Sequence, residues 1–472
     1  MKKVLKYLIL ILFTITTFGL LYYVNKLNIL KSTYFVILSI LVLLIWLLVF
    51  TRIKSNKTKI VTKVIFSIIA CTLSCGYIFS SSYINNTVKF VNNITKKSSY
   101  QTQSYSVLVS NTSNYNSIED LIDKNIGFIS TNNNLEKVTY KLKDKINYNE
   151  VDYEDVTTAI LNINSNIDAI VLEDSFIETL EDNNVEFINN SRKIYTFSIK
   201  VKKGNVNKVN NINEDPFILY ISGSDSRGSI SETARSDVNI IVVVNPKTNK
   251  ILLVNVPRDY YVQLHGTTGI KDKLTHAGLY GLDMSKMTMQ DLLDININYS
   301  VKVGFDTVVD IVDALDGIDL DIDQALTLKS SDNKKYCKYT VGMNHLDGAC
   351  ALRYARERKS YVGGDRHRGR NQQQVITAII NKLKDPKYLI KYNDILKAAE
   401  GTFETDLTYE EITSLVKYQM SNLTDWQIES ISADGTDIMT QTYSIPGMTL
   451  SVMVPDEQIL SDVKIKIKEY MK

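Results

Sequence analysis

Residues 238–259, VNIIVVVNPKTNKILLVNVPRD, contain the pattern that decides the fold of this chain. Two apolar runs rich in β-branched residues, Val238–Asn245 and Ile251–Val256, are separated by a short polar turn. A third such run, Phe217–Ser222, precedes them. Continuous apolar runs of this length are typical of strands that are covered on both faces of a sheet. We therefore predict three buried strands in one central sheet.

Helical apolar spacing follows these strands and indicates helices that flank the sheet. The helical patterns lie at Lys286–Leu293, Phe305–Leu315, Ala349–Arg356, Gln372–Leu383, Ile390–Glu400 and Tyr409–Met420. A late strand is predicted at Gln427–Ile431 and an amphipathic helix at Pro455–Tyr470. The fold class is therefore α/β: a sandwich with a central mixed sheet at residues 217–440, followed by a C-terminal strand and helix at residues 441–472.

Residues 105–202 alternate strands with helices and predict a second, smaller α/β domain. Strands are predicted at Tyr105–Val109, Ile126–Ile129, Asp168–Leu172, Val185–Ile188 and Tyr195–Val201, and helices at Ile118–Ile122, Leu135–Leu142, Val156–Ile163 and Phe176–Leu180. The element order weakly resembles one lobe of an extracellular solute-binding protein, although a spacer or scaffold without a ligand stays open. Polar stretches at residues 84–104 and 203–216 are predicted to be linkers.

Three apolar segments at the N-terminus predict a membrane anchor over residues 1–83. They are Val4–Val24, Tyr34–Phe50 and Val64–Tyr83, each near the roughly 20 residues that cross a bilayer. Basic residues cluster at the N-terminus and between the second and third segments, which favours a cytoplasmic position for both. An odd number of spans then places residues 84–472 outside the cell.

Composition excludes some classes of function. The net charge is only +2, so no global field favours nucleic acid, and any basic site must be local. Cys71 and Cys75 fall in the third apolar segment, while Cys337 and Cys350 lie in the external part. A disulfide between the last two and a pair of free thiols are both open, and the spacing is not that of a zinc site.

Charged residues surround the ends of the three predicted strands. They occur in the sequences GSDSR after the first strand, ARSD before the second and PRD after the third. Groups beyond the strand ends of an α/β sheet converge on one crevice, which would gather Asp225, Arg227, Arg235, Asp237, Arg258 and Asp259. Carboxylates among arginines suit a metal-bound pyrophosphate, although surface ion pairing is the simpler alternative.

A second basic cluster lies further along the chain. Six arginines fall between residues 353 and 370, namely Arg353, Arg356, Arg358, Arg366, Arg368 and Arg370. The Asn and Gln run at residues 371–374 would add amide donors at the start of a helix. A polyphosphate site fits this composition better than a solvated basic face. A nucleic-acid surface is disfavoured because few aromatic residues interleave the arginines and the domain is predicted to be outside the cell.

Together these motifs resemble the LytR–CpsA–Psr family of Gram-positive cell-envelope proteins over about Pro216–Pro386. Seven motifs agree in order: GSDSR, ARSD, PRD, KLTHAGLYG, VGFDTVVDIVDALDGIDL, LDGACALRYARER and GDRHRGRNQQQVI. The three-span anchor followed by an accessory domain resembles the capsule-type branch of the family. Asn371 is a departure, because many members have an arginine there; Arg366 or Arg370 is expected to compensate.

The resemblance implies a phosphotransferase that moves an anionic glycopolymer from an undecaprenyl-pyrophosphate carrier onto peptidoglycan through a phosphodiester. It implies Mg²⁺, with Mn²⁺ as the alternative, held by Asp225 and Asp237. The implied catalytic residues are Asp225, Arg235, Asp237 and Arg368. The implied contacts to the pyrophosphate head group are Arg227, Arg258, Lys273, Arg356, Arg358 and Gln372.

Several points of mechanism stay open at the level of sequence. Asp225 and Asp365 are candidates for a general base, while His276 and His367 are expected to be structural rather than catalytic. An apolar slot for the lipid is expected between the sheet and the helices Phe305–Leu315 and Val375–Leu383. The rival functions are a membrane-tethered polyprenyl-pyrophosphate phosphatase, a non-enzymatic envelope sensor and a transcription regulator, the last of which requires a cytoplasmic C-terminal domain.

Overall fold

A computed structural model describes residues 3–95, 100–132, 134–183, 185–204, 207–224, 230–389, 392–398 and 401–472. The chain forms two compact units. The anchor unit comprises Met1–Lys96, Leu383–Lys397 and Leu407–Asp425. The sheet unit comprises Lys97–Lys382, Ala398–Asp406 and Trp426–Lys472.

The anchor unit confirms the three apolar helices. They are α1 (Lys3–Leu27), α2 (Ser32–Lys54) and α3 (Ile60–Thr95), and each is long and apolar enough to cross a membrane. Part of the predicted linker at residues 84–104 is wrong, because α3 continues to Thr95 and a strand begins at Tyr100. No Gly or Pro occurs between residues 84 and 95 to end the helix, and Val88 is buried against Leu27 and Ile84.

The first sheet lies in the sheet unit and has the strand order β3-β2-β4-β1-β5. Its strands are β1 (Tyr100–Ser110), β2 (Asn125–Ile129), β3 (Asn149–Tyr153), β4 (Ala169–Glu173) and β5 (Ser191–Lys202). Its helices are a 3₁₀ turn (Ile118–Leu121), α4 (Leu135–Lys143), α5 (Val156–Leu161), α6 (Asp174–Asp182) and α7 (Glu186–Asn189). Strand β2 runs parallel to β3 and β4, so the carboxyl ends of these three strands share one edge.

Two predictions for this domain are wrong. The segment Val185–Ile188 was predicted as a strand, but Glu186–Asn189 is a helical turn in which the Asn190 N–H donates to the Glu186 carbonyl at 3.1 Å. The edge strand β3 was missed because its sequence, NEVDY, is polar and largely solvent-exposed. An edge strand buried on neither face lacks the apolar run on which strand prediction depends.

The central sheet contains the three predicted strands and is mixed. The remaining strands of the chain are β6 (Phe217–Ser224), β7 (Val238–Asn245), β8 (Lys250–Asn255), β9 (Tyr261–Val262), β10 (Asp272–Lys273), β11 (Tyr299–Gly304), β12 (Ile318–Ile322), β13 (Leu326–Lys329), β14 (Tyr336–Tyr339), β15 (Gly342–Leu346), β16 (Phe403–Thr405), β17 (Gln427–Ser432), β18 (Gly435–Gln441) and β19 (Thr449–Pro455). The order is β16-β11-β6-β7-β8-β17. Strands β6 and β8 are both antiparallel to β7, so their carboxyl ends meet the start of β7 at one edge.

Helices cover both faces of the central sheet, as predicted. The remaining helices are a 3₁₀ helix (Leu274–Tyr280), α8 (Leu282–Leu293), α9 (Phe305–Ala314), α10 (Gly348–Ala355), α11 (Asp365–Lys384), α12 (Pro386–Leu389), α13 (Tyr392–Ala398), α14 (Tyr409–Asn422) and α15 (Glu457–Tyr470). Residues of α8 and α15 complete the larger core on one face, and Ile376 and Ile380 of α11 pack on the other. A disulfide joins Cys337 to Cys350, which decides between the two alternatives left open by the sequence.

Candidate functional site

A cavity of about 470 Å³ lies at the edge where β6 and β8 end and β7 begins. Eight of the ten predicted site residues line it: Arg235, Asp237, Arg258, Lys273, Arg356, Arg358, Arg368 and Gln372. The other two, Asp225 and Arg227, lie outside the described residues. Residues separated by more than a hundred positions in the sequence therefore meet around one cavity.

Two close approaches of the backbone position this lining. A Cβ atom at Gly278 would collide with the carbonyl oxygen of Ala234, so only glycine lets the 3₁₀ helix lie against the loop that carries Arg235 and Asp237. The Ser236 N–H donates to the Thr275 carbonyl at 3.0 Å across this contact. A Cβ atom at Gly369 would likewise collide with the Asn255 side chain, so α11 can approach the end of β8 and place Arg368 in the cavity.

Asp237 is the buried carboxylate at the centre of the site. Arg258 Nη1 donates to Asp237 Oδ1 at 2.8 Å, and the Thr275 hydroxyl donates to the same oxygen at 3.1 Å. Burial alone would raise the pKa of Asp237, but the positive charges of Arg258, Arg235 and Arg368 outweigh it and lower the pKa to about 2. The side chain is therefore an anion throughout the physiological pH range.

A second carboxylate, Asp259, balances two further cations. Lys273 Nζ lies 2.7 Å from Asp259 Oδ1, and Arg258 Nε lies 3.7 Å from Asp259 Oδ2. Burial opposes ionisation, but Lys273 and Arg258 together hold the pKa of Asp259 below its usual value. Arg258 thus lies between two carboxylates, and the pKa of its guanidinium is raised despite burial.

Positive charge still exceeds negative charge around the cavity. Six Arg or Lys side chains line it against three carboxylates. The pKa of Arg368 is lowered by burial and by the nearby cations Arg258 and Arg358, although Asp365 pairs with it. The Arg356 guanidinium lies over the Phe305 ring, 4.3 Å from its centroid. Crowded, partly desolvated cations of this kind are stabilised by a polyvalent anion.

One wall of the cavity was not foreseen. Asp182 and Asn183, at the end of α6 in the first α/β domain, line the cavity, and Asp182 Oδ2 lies 2.6 Å from Arg235 Nη2. A carboxylate from the accessory domain therefore contacts one of the predicted pyrophosphate-binding arginines. No motif surrounds Asp182, so the sequence contained no signal for this contact.

Half of the predicted arginine cluster is engaged elsewhere. Arg353 pairs with Glu357, Arg366 Nε lies 2.5 Å from Asp434 Oδ1, and Arg370 donates to His367 Nδ1 at 2.9 Å. Local acceptors therefore bind these three arginines, whereas the three predicted as site residues, Arg356, Arg358 and Arg368, line the cavity. Arg366 and Arg370 do not line the cavity, so neither supplies the missing charge at Asn371.

The Asn and Gln run also differs from its prediction. Helix α11 begins at Asp365, so residues 371–374 lie inside the helix and not at its free N-terminus. Asn371 is fully buried and donates to the Tyr354 carbonyl at 3.1 Å, and Gln373 donates to the Ile431 carbonyl at 2.6 Å. Gln372 alone of this run reaches the cavity, because it lies one helical turn after Arg368 on the same face.

Of the candidate general bases and histidines, Asp365, His276 and His367 have described contacts. Asp365 pairs with Arg368, while Asp225 lies outside the described residues. His276 lines the cavity, and its Nδ1 atom lies 2.7 Å from the fully buried Asp272 carboxylate. His367 stacks on Tyr361 with ring centroids 3.4 Å apart. These contacts fix both imidazole rings in place.

The carboxylates of the cavity are the groups that could bind a divalent cation. Within the described ranges, no group of three His, Cys, Asp or Glu side chains is placed to form a closed metal site. Mg²⁺ often takes only one or two carboxylates and completes its shell with phosphate oxygens and water. Asp237 is an ionised carboxylate in the cavity, whereas Asp225 lies outside the described residues. The residues present therefore fit a cation that is held largely through a phosphorylated ligand.

Comparisons with known proteins agree with the motifs. Residues 182–458 match the model of the LytR_cpsA_psr family. The chain is 32% identical over 260 residues to a polyisoprenyl-teichoic acid–peptidoglycan teichoic acid transferase, TagU, of Bacillus licheniformis, covering 54% of this chain and 78% of the relative. It is 33% identical over 222 residues to TagU of Bacillus mycoides, covering 47% of this chain and 70% of the relative.

Two solved structures are also similar to part of this chain. The crystal structure of B. subtilis TagV is similar at 29% identity and a TM-score of 0.47, covering 55% of this chain and 98% of that chain. A structure of TagT bound to LI-WTA is similar at 27% identity and a TM-score of 0.44, covering 56% of this chain and 94% of that chain.

Proposed function

This chain belongs to the LytR_cpsA_psr family, and we propose that it moves an anionic glycopolymer from an undecaprenyl-pyrophosphate carrier onto peptidoglycan, forming a phosphodiester. The relatives that match it are transferases of polyisoprenyl-linked teichoic acid to peptidoglycan. The observation that carries the proposal is the cavity at the end of β6 and β8, where six cations outnumber three carboxylates. A diphosphate is an anionic ligand that this excess of positive charge would bind.

The arginines of the cavity act on the diphosphate. Planar guanidinium groups match pairs of phosphate oxygens, so Arg235, Arg258 and Arg368 would hold the two phosphoryl groups in a fixed orientation. An acceptor hydroxyl attacks the phosphorus attached to the polymer, and the bond from that phosphorus to the bridging oxygen breaks. Undecaprenyl phosphate leaves and takes up the proton that the hydroxyl loses. Negative charge spreads over the phosphoryl oxygens in the transition state, so preorganised cations supply most of the acceleration.

Asp237 serves as an anion and not as a base in this proposal. With its pKa near 2, its carboxylate is too weakly basic to take a proton from a sugar hydroxyl. It would instead hold Arg258 in place and, together with Asp225, bind Mg²⁺ or Mn²⁺. The cation would neutralise charge on the diphosphate oxygens.

The proposal also includes a membrane orientation for the chain and a binding surface for the lipid tail. The three apolar helices anchor the chain, and the basic residues between α2 and α3 favour an orientation with the sheet unit outside the cell. On the sheet face opposite the larger core, Leu219, Ile221 and Val244 are only partly buried around Ile376 and Ile380 of α11. A polyprenyl tail would cover this half-buried apolar face.

Removing one cavity arginine tests the proposal. We expect Arg368→Ala to lower transfer of lipid-linked polymer to peptidoglycan at least about a hundredfold, because it removes a cation from the transition state. Arg366→Ala is the matched control, since it lies on the same helix but binds Asp434 outside the cavity. Purified full-length protein in lipid nanodiscs would be assayed for wall-linked product, with circular dichroism to check folding.

The outcomes separate the proposal from its rivals. Loss of wall-linked product in Arg368→Ala but not in Arg366→Ala supports the transferase. Release of free polymer by the wild-type protein, with no wall-linked product, would instead identify a phosphatase that uses the same cations with water as acceptor. Full activity of Arg368→Ala would remove the cavity from the reaction.

A further inference from the structure

A second cavity, of about 630 Å³, lies between the first α/β domain and the central domain of the sheet unit. One wall is formed by the carboxyl end of β4 at Glu173 and by the segments that follow β2 and β3, represented by Thr131 and Asp155. Because β2 is parallel to both neighbours, these segments share the carboxyl edge of the sheet. That edge is where open α/β sheets bind ligands.

Three aromatic rings also line the cavity. Phe176 of α6 packs edge-on against Tyr280 with ring centroids 5.6 Å apart, and Tyr280 lies 6.4 Å from Tyr443. All three rings are only partly buried. Aromatic faces combined with hydroxyl and amide groups suit a ligand that has apolar faces and polar edges.

The second cavity is lined by acidic groups, whereas the catalytic cavity, at the ends of β6 and β8, is lined mainly by cations. Among its described lining residues there is no Lys or Arg, and the ionisable carboxyl groups are Glu154, Asp155 and Glu173. The hydrogen-bonding groups are mainly neutral, and they include Gln103, Ser130, Asn132 and Asn134. Such a lining disfavours phosphate and an anionic polymer, and it favours a neutral ligand rich in hydroxyl and amide groups.

Glu173 strengthens this assignment. Its side chain is 8% exposed and accepts hydrogen bonds from the Thr233 hydroxyl and, at 3.4 Å, from the Tyr105 hydroxyl. Burial raises the pKa of Glu173 to about 7. A carboxyl group that is partly protonated near neutral pH can donate as well as accept, as recognition of a hydroxyl or acetamido group requires.

The two cavities are neighbours through shared elements. Helix α6 contributes Phe176 to the second cavity and Asp182 to the catalytic cavity, six residues or about 9 Å apart along the helix. The 3₁₀ helix does the same, with Tyr280 in the second cavity and His276 in the catalytic cavity. A short chain of sugars bound in one cavity would therefore extend towards the other.

We propose that this second cavity binds a neutral saccharide segment and so holds the acceptor glycan for transfer. The binding itself stands on the geometry above, whereas its role as acceptor site rests on the proposed function. Neutral sugars occur in both substrates, but the donor polymer is anionic and the cavity offers it no cation. The structure therefore favours the N-acetylated sugars of the peptidoglycan chain.

Calorimetric titration of the full-length protein in nanodiscs tests the binding. The neutral probe is N-acetylglucosamine tetrasaccharide, and the anionic probe is poly(glycerol phosphate). We expect saturable binding of the neutral probe that Tyr443→Ala weakens at least about fivefold, because the sugar loses its stacking partner. Thr131→Val removes one hydroxyl at a solvent-exposed position and should also weaken binding of the neutral probe. It replaces Tyr443→Ala in the test if that variant is unstable. Tyr140→Ala is the control, since Tyr140 is 76% exposed on α4 and outside the cavity.

Transfer kinetics separate this proposal from the proposed function. Tyr443→Ala should raise the KM for the peptidoglycan acceptor with little change in kcat or in the KM for the lipid donor. Arg368→Ala should abolish transfer but leave binding of the tetrasaccharide unchanged. Saccharide binding without any transfer by the wild-type protein would support the site and contradict its acceptor role.

Three results would overturn the saccharide site. The first is no saturable binding of the tetrasaccharide up to about 10 mM. The second is binding that Tyr443→Ala and Thr131→Val leave unchanged while both variants remain folded. The third is binding of poly(glycerol phosphate) that Tyr443→Ala abolishes, which would assign the cavity to the donor polymer.

Discussion

Replacing Asp237 by Asn should destabilise the sheet unit in a pH-dependent manner. Asn keeps the shape of the side chain and can accept from Arg258 and Thr275, but it removes the negative charge. The folded-state pKa of Asp237 is about 2, against 3.8 for an aspartate that is fully exposed to solvent. This difference corresponds to about 2 kcal/mol of unfolding free energy at pH 7, at 1.36 kcal/mol per pKa unit.

The sign of the pH dependence follows from the lowered pKa. A carboxyl group with a depressed folded-state pKa contributes its stability above the unfolded pKa and loses it as the pH falls through the folded value. The difference between wild type and Asp237→Asn should therefore be complete at pH 7 and fall to roughly half by pH 3. Arg258, which is buried and would keep only the more distant Asp259 as a charged partner, adds to the loss at neutral pH.

Urea unfolding of the full-length protein in detergent micelles measures this difference. Trp426 packs in the sheet unit, whereas Trp46 lies in α2, so a Trp46→Phe background makes the fluorescence report on the sheet unit alone. Asp462→Asn, at an exposed position of α15, is the control and should change the unfolding free energy by less than about 0.5 kcal/mol. A difference for Asp237→Asn that is below about 0.5 kcal/mol at pH 7, or that is constant from pH 3 to 7, would refute the electrostatic account of this site.

Three further predictions concern other groups of the sheet unit. Because the pKa of Glu173 is raised from 4.5 to about 7, wild-type stability should fall as the pH rises through this window, by up to about 3 kcal/mol, and Glu173→Gln should flatten that slope in urea titrations at pH 4.5 to 7.5. Asp182→Ala should tighten binding of inorganic pyrophosphate about two- to fivefold, because Arg235 loses a competing carboxylate, while Glu181→Ala should not; equal affinities in calorimetry would contradict this competition. Chelation with EDTA should suppress transfer and Mg²⁺ should restore it, whereas turnover that is indifferent to EDTA would exclude a cation at Asp237.

Most of the lining of the cavity at the ends of β6 and β8 could be predicted from local sequence. The apolar runs at Phe217–Ser222, Val238–Asn245 and Ile251–Val256 define strands whose ends carry charged residues, and strand ends in an α/β sheet converge. Arg235, Asp237 and their partners therefore meet as expected. The residue at which α11 begins could not be predicted, because Asp365–Arg370 is polar and shows no apolar period.

The acceptor that each arginine contacts could not be predicted from local sequence. Arg353, Arg366 and Arg368 occur in one dense basic stretch and have similar sequence surroundings. In the structure Arg353 pairs with Glu357, Arg366 pairs with Asp434, and Arg368 lines the cavity. Which acceptor an arginine finds depends on the face of the helix and on loops distant in the chain. Asp434 is 68 residues from Arg366, so no local window contains both partners.

Hydrophobic period and residue type are local properties of the chain, and they suffice to predict the apolar anchor, the buried strands and which cations and carboxylates are present. The contact of Asp182 with Arg235, and the second cavity lined by Phe176, Tyr280 and Tyr443, depend on how distant segments pack. These contacts join two α/β domains, and packing between surfaces that are far apart in the chain leaves no periodic trace in either segment.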